Sequence, residues 1–227
     1  MTLVIAAPSE DFLVLGADSR GVLDSGDARI EINILKKIVP VTEHVAILMY
    51  GGAEEASQLV EKYKSILEKD EEKIDGVTLV AENFCEFCRE EERKLVGMPH
   101  YEENVTYFGF LVCGMDKIGE RFSKPLIYIL SNYNGFRLGL CRPYAIQGKP
   151  IIGLYLFSKN YNADMTVDEL CRLVAQSIYD TMCIDGDVGG QINIALIDSD
   201  GMRELSNPDV KKLYETWQMR DLRRIME

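Results

Sequence analysis

The chain opens Met1-Thr-Leu-Val-Ile-Ala-Ala-Pro-Ser-Glu-Asp-Phe-Leu-Val-Leu-Gly-Ala-Asp-Ser-Arg20, and the fold turns on how this stretch is read. Two apolar runs, Leu3 to Ala7 and Phe12 to Ala17, flank the polar turn Pro8-Ser9-Glu10-Asp11. That pattern predicts a β-hairpin with both strands buried. Asp18 follows the second run directly, and Thr2 precedes the first. Closing the hairpin puts Thr2 and Asp18 at the same end of neighbouring strands. Removal of Met1 is expected with so small a second residue. Thr2 would then carry a free α-amine beside its own hydroxyl, a pairing in which an amine activates a hydroxyl nucleophile. Taken alone, a Met-Thr start and an Asp-Ser exit from a strand are also ordinary ways to begin a chain and to cap a turn.

The remainder of the 227 residues predicts one domain, 1–227, with 209–227 a C-terminal helical extension. At 47% hydrophobic and 27% charged, the chain has material for a large core. A net charge of −12 argues against nucleic acid as a partner. No basic region precedes the early apolar residues and Asp11 interrupts them, so no signal peptide is expected. No run is long enough to span a bilayer, so no membrane partner is expected and the cytoplasm is the expected location. Neither a cofactor nor a metal is expected. Cys85-x-x-Cys88 has metal or redox spacing, but a second such pair is missing and the only histidines are His44 and His100. Two packed thiols one helical turn apart is the competing reading.

Further along, a Gly-, Asp- and Ser-rich stretch through Asp27 reads as a loop. Ile30 to Val39 reads as one strand containing Lys36 and Lys37, and Pro40 to His44 as a turn. Val45 to Met49 reads as a buried strand that opens through Gly51-Gly52 into a helix, Ala53 to Lys69. Such a junction is either a tight turn or an anion-favouring helix N-terminus. A charged segment, Glu68 to Asp75, precedes a second amphipathic helix, Val77 to Val96, which Gly97-Met-Pro-His100 ends. Strands are predicted at Val105 to Cys113, Leu126 to Leu130, Phe136 to Leu140 and Tyr144 to Gln147. A helix is predicted at Pro150 to Phe157. Thr166 and Glu169 match a capping box ahead of a long helix that ends at Asp185-Gly-Asp-Val-Gly-Gly190. Gln191 to Asp198 reads as a buried strand and Asp209 to Glu227, with Trp217, as a last helix. Strands, two helices, strands, two helices and a strand fit an α+β fold: a four-layer αββα sandwich of two antiparallel sheets between helix pairs.

Taken together and in this order, these stretches resemble the proteasome family of N-terminal-nucleophile hydrolases. The likeness is closer to β-type and bacterial proteasome-like subunits than to α-type. Thr2 stands in the nucleophile position, with Asp18-Ser19-Arg20 at the end of the second strand. Lys36-Lys37-Ile38 resembles the family's lysine motif, with Lys37 in the catalytic position. Gly51 in Tyr50-Gly-Gly-Ala53 matches the donor of the oxyanion N–H. Cys113-Gly-Met-Asp116 resembles a strand-end motif, and Asp185 with Gly189-Gly190 resembles the turn after the last long helix. Two serines that the family pattern carries have no counterpart: Val188 takes one place, and Ile146-Gln-Gly-Lys149 contains none.

The resemblance implies a threonine-type amide or peptide hydrolase acting through Thr2, Asp18, Lys37, Gly51 and Asp185. It also implies a homo-oligomeric ring and a peptide or small amide as substrate. The missing serines keep open an alternative, a catalytically silent ring or scaffold subunit in which Asp18 and Lys37 form a structural ion pair. A thiol enzyme has little support, since no cysteine has a histidine near it in sequence.

Overall fold

The computed structural model describes residues 2–25, 28–69, 74–95 and 106–215. One five-stranded antiparallel sheet is built from β1 (Leu3–Pro8), β2 (Leu13–Asp18), β12 (Ala145–Gly148), β13 (Ile192–Asp198) and β14 (Gly201–Glu204), in the order β12-β1-β2-β13-β14. The other contains β5 (Ile38–Thr42), β6 (Val45–Gly51), β7 (Phe108–Gly114), β10 (Leu126–Ser131) and β11 (Gly139–Cys141), in the order β11-β10-β7-β6-β5. Two small hairpins, β3 (Gly21–Ser25) with β4 (Ala28–Ile32) and β8 (Lys117–Ile118) with β9 (Arg121–Phe122), stand apart.

Side-chain alternation sorts the strands into layers. Leu3, Ile5 and Ala7 face α3 (Pro150–Asn160) and α4 (Val167–Ile184), where they meet Phe157, Val174 and Ile178. Val4 and Ala6 point the other way, onto Ala46, Leu48 and Leu111 of the second sheet. That sheet in turn sends Val45, Ile47, Phe110 and Val112 against Val60, Tyr63, Val80 and Phe84 of α1 (Ala53–Leu67) and α2 (Val77–Leu95). The result is the expected αββα sandwich. Strands covered on both faces must be apolar at every position, which is why β1, β2, β6 and β7 read as continuous runs. Each fully buried Leu or Phe in these layers contributes on the order of 1.5–3 kcal/mol.

Several expectations are corrected. The Gly-Asp-Ser stretch after Asp18 is a hairpin, β3–β4, with Leu23 opposite Ile30. Ile30 to Val39 is two strands in different sheets, with an irregular stretch at 33–37 that carries Lys36 and Lys37. Pro40 to Thr42 belongs to β5, and only 43–44 turn. Phe136 is not in a strand: it follows a 3-10 turn at Asn132–Asn134, has φ +50° and buries its ring, and the strand begins at Gly139. Asp198 to Gly201 forms a hairpin turn that leads into β14, and the hairpin β8–β9 lies where no strand is predicted. The last helix is observed over 207–215. The rest of that predicted helix with Trp217, the second helix's end at Val96 with Gly97 to His100, the strand start at Val105, and Met1 lie outside the described residues.

Candidate active site

The hairpin closes as the sequence predicts. β1 and β2 pair with Val4 opposite Ala17, and Asp18 arrives beside the start of β1, where its Oδ1 accepts the Leu3 N–H at 2.9 Å. Its second oxygen accepts the N–H groups of Arg20 at 3.2 Å and Gly189 at 3.0 Å. The remaining partner is Lys37, whose Nζ donates to Asp18 Oδ1 at 2.7 Å and to the Arg20 carbonyl at 2.6 Å. Asp18 is fully buried and Lys37 only 3% exposed. A buried carboxylate is tolerable here because both oxygens are filled by donors, one of them an ammonium.

Lys37 reaches this place because the chain leaves β4 at Ile32 and crosses the hairpin irregularly. The crossing is tied down twice: Ser19 Oγ donates to the Asn33 carbonyl at 2.7 Å, and the Leu35 N–H donates to the Ser19 carbonyl at 3.0 Å. The Met49 N–H then captures the Lys37 carbonyl at 2.9 Å and begins the pairing of β5 with β6. Burial pushes the Lys37 ammonium below the ordinary lysine value and Arg20 adds to this, while Asp18 pulls the other way. The balance is an ammonium held by its ion pair yet easier to deprotonate than a surface lysine.

Thr2, Lys37, Met49, Gly51, Ala53 and Ala56 are among the residues lining one small cleft. Gly51 sits at its edge with φ +85°, and a Cβ there would lie 2.2 Å from the Tyr107 carbonyl oxygen. Only glycine fits. Gly52, the N-cap residue of α1, follows, so the cleft borders the positive end of a 15-residue helix.

Of the five predicted residues, Thr2, Lys37 and Gly51 share the cleft, and Asp18 anchors Lys37 beneath it. Asp185 is placed differently. It ends α4, and its carboxylate pairs with Lys149 Nζ at 3.4 Å, with Asp187 taking the same ammonium at 3.3 Å. Lys149, which nothing but its place directly after the β12 pattern marks in the sequence, is the partner that meets Asp185 here. The Lys149 N–H donates to the Thr2 carbonyl at 2.8 Å. Val188 is buried in the apolar core with Leu3, Ile146 and Ile192. Among the described residues, no group of three or more His, Cys, Asp or Glu side chains is arranged to hold a metal ion.

This arrangement runs from the first strand to the turn before β13, and a family model described as "Proteasome subunit" matches residues 2–197. The chain belongs to the proteasome subunit family. Its relatives include "Proteasome subunit beta type-6" of Dictyostelium discoideum, 24% identical over 91% of this chain and 89% of that protein. "Proteasome subunit beta 2" of Nitrosopumilus maritimus is 24% identical over 94% of each chain. "Proteasome subunit alpha" of Methanopyrus kandleri is also 24% identical, over 94% of this chain and 81% of that one. Proteasome subunits of both the beta and the alpha type therefore align with this chain along most of its length. Among the described residues, no helix of this proteasome-family subunit is long and apolar enough to cross a membrane.

Proposed function

We propose that this proteasome-family subunit is a threonine-type amide or peptide hydrolase that acts through Thr2 after removal of Met1, within a homo-oligomeric ring in the cytoplasm. The observation that carries the reading is the buried Lys37 ammonium, bonded to Asp18 and lining the cleft with Thr2. Lysine is costly to bury unless it is paired, and here the paired ammonium lines the same cleft as Thr2.

The steps follow from these positions. The Thr2 α-amine takes the proton of Thr2 Oγ, which bonds to the substrate carbonyl carbon. The Lys37 charge favours the hydroxyl's anionic form and disfavours protonation of the amine beforehand. The Gly51 N–H, at the end of β6 just before the N-cap of α1, binds the oxyanion; in other enzymes one such donor contributes roughly 2.7–4 kcal/mol. Collapse breaks the C–N bond, and the leaving amine takes the proton from the α-ammonium. Water, deprotonated by the same amine, then attacks the ester carbonyl; the C–Oγ bond breaks, the acid leaves and the α-ammonium returns the proton to Thr2 Oγ.

Hydrolysis of a panel of fluorogenic peptide amides tests this. The wild type is expected to release the fluorophore and Thr2→Ala to release none; equal rates in the two would contradict it. A second reading, a silent ring subunit, is favoured by Val188, whose burial among Leu3, Ile146 and Ile192 leaves that position no polar group for the amine.

A further inference from the structure

Arginine gathers at one place that the Thr2 cleft does not share. Arg89, Glu92, Arg93, Asn134, Gly135 and Arg137 line an open hollow of ≈ 430 Å³ between α2 and the 3-10 turn after β10. Arg89 and Arg93 stand four residues apart on α2, hence on one face, where like charges repel. Arg89 is partly buried and its Nε donates to the Gly135 carbonyl at 3.4 Å. The turn that brings Arg137 is fixed against α2. Phe136 buries its ring there with φ +50°, and its carbonyl accepts from Cys85 Sγ at 3.0 Å. The next N–H, that of Arg137, donates to Asn134 Oδ1 at 3.2 Å. A left-handed φ is costly for phenylalanine and persists only where the surroundings hold it. Glu91, close by on α2, is taken by Lys62 and Lys94. Among the described residues, no carboxylate lies at ion-pair distance from Arg89, Arg93 or Arg137. Glu92 is the carboxylate in the lining, and burial pushes it up, toward its neutral form.

We infer that this hollow is a binding site for a small, multiply charged phosphate-type anion, held by Arg89, Arg93 and Arg137. A chain of net charge −12 has carboxylates to spare, yet three guanidiniums line one hollow without a paired one. The end of α2 accounts for one of them, since a cation in the last turn, where Arg93 lies, meets the helix's negative end. Arg89 is a turn earlier and Arg137 belongs to another element, so the helix dipole does not account for the group. Three like charges held on fixed backbone repel one another, and an anion among them relieves that repulsion. Each guanidinium offers a planar fork of N–H donors that suits phosphate oxygens two at a time. Forks arriving from two elements match a tetrahedral group, with oxygens on all sides, better than a planar carboxylate. The hollow and the Thr2 cleft have no lining residue in common, so the inference stands apart from the reading of Thr2.

The test is calorimetric titration of the full chain with sodium tripolyphosphate in metal-free, low-salt buffer, with citrate as the carboxylate counterpart. The wild type is expected to bind tripolyphosphate saturably and citrate more weakly. Arg137→Met weakens tripolyphosphate binding about tenfold or more, and Arg137→Lys, which keeps the charge and loses the fork, recovers part of it. Arg203→Met, at an arginine paired with Asp198 on β14, leaves binding unchanged. Should Arg137→Met not fold, Arg93→Met, at an exposed position on α2, replaces it with the same expectation. Absence of saturable binding at millimolar tripolyphosphate overturns the inference. So does equal affinity in the wild type and the folded hollow variants, which makes the binding non-specific. Citrate bound more tightly than tripolyphosphate through the same arginines overturns the phosphate assignment.

Discussion

Asp18 and Lys37 decide the character of the site. Lys37→Met leaves the Asp18 carboxylate buried with three backbone donors but no cation. The expected loss is about 3–5 kcal/mol, read from the urea midpoint at constant m-value. Lys37→Met combined with Asp18→Asn removes both charges and recovers part of it; a double variant no more stable than Lys37→Met contradicts the pairing. Gly51→Ala forces a side chain into φ +85° and onto the Tyr107 carbonyl, which costs on the order of 1–3 kcal/mol for the backbone alone. Thiol chemistry separates as burial dictates. Burial pushes Cys88 and Cys113 well above the ordinary thiol value, whereas Cys183 is exposed. Iodoacetamide is expected to modify Cys183 fastest in the folded protein, and Cys183→Ser to remove that fast phase. The residues themselves were readable from the first strand outward, because a charge directly after an apolar run, Asp18, and a lysine among apolar neighbours, Lys37, are costly unless they meet. Lys149 was not readable, since its meaning comes from α4 ending beside β12.

Among the elements, those with local signals were legible. Thr166 caps α4, accepting from the Glu169 N–H while Glu169 accepts from the Thr166 N–H at 2.9 Å. Thr166→Ala is expected to lower stability by about 1 kcal/mol, measured by thermal or urea unfolding. α1 and α2 are joined by Glu91, which pairs with Lys62 and Lys94. The Lys62 and Lys94 hydrogen bonds hold the Glu91 carboxyl below its ordinary value of 4.5. A carboxyl depressed in the folded state stabilises above its unfolded pKa and loses this as pH falls through its folded one. The gap between wild type and Glu91→Gln is therefore constant above about pH 4.5 and closes below it. Both lysines are largely exposed, so the gap stays under about 1 kcal/mol. Elements fixed by distant partners were not legible. β4 and β5 form one alternating run in sequence, yet Ser19 holds the chain at Asn33 and Leu35 and splits the run between sheets. β3 is disguised by Gly and Asp residues whose pairing is with β4 rather than with a core sheet.

At the scale of the whole molecule, the layering follows from alternation alone. Odd positions of β1 face one helix pair, even positions face the second sheet, and the second sheet repeats the rule toward α1 and α2. The order of helix pairs and strands announced that sandwich, and the match over residues 2–197 agrees with it. If the proposed ring forms, light scattering gives a native mass several times the chain's 25.7 kDa; a monomer at micromolar concentration contradicts that part of the proposal. The central claim is that Thr2 is a nucleophile with a free amine, and the intact mass of the purified protein tests it most directly. A mass lacking Met1, which gains one adduct from a threonine-directed electrophile and none in Thr2→Ala, is the predicted result. A mass that retains Met1 and gains no adduct contradicts it.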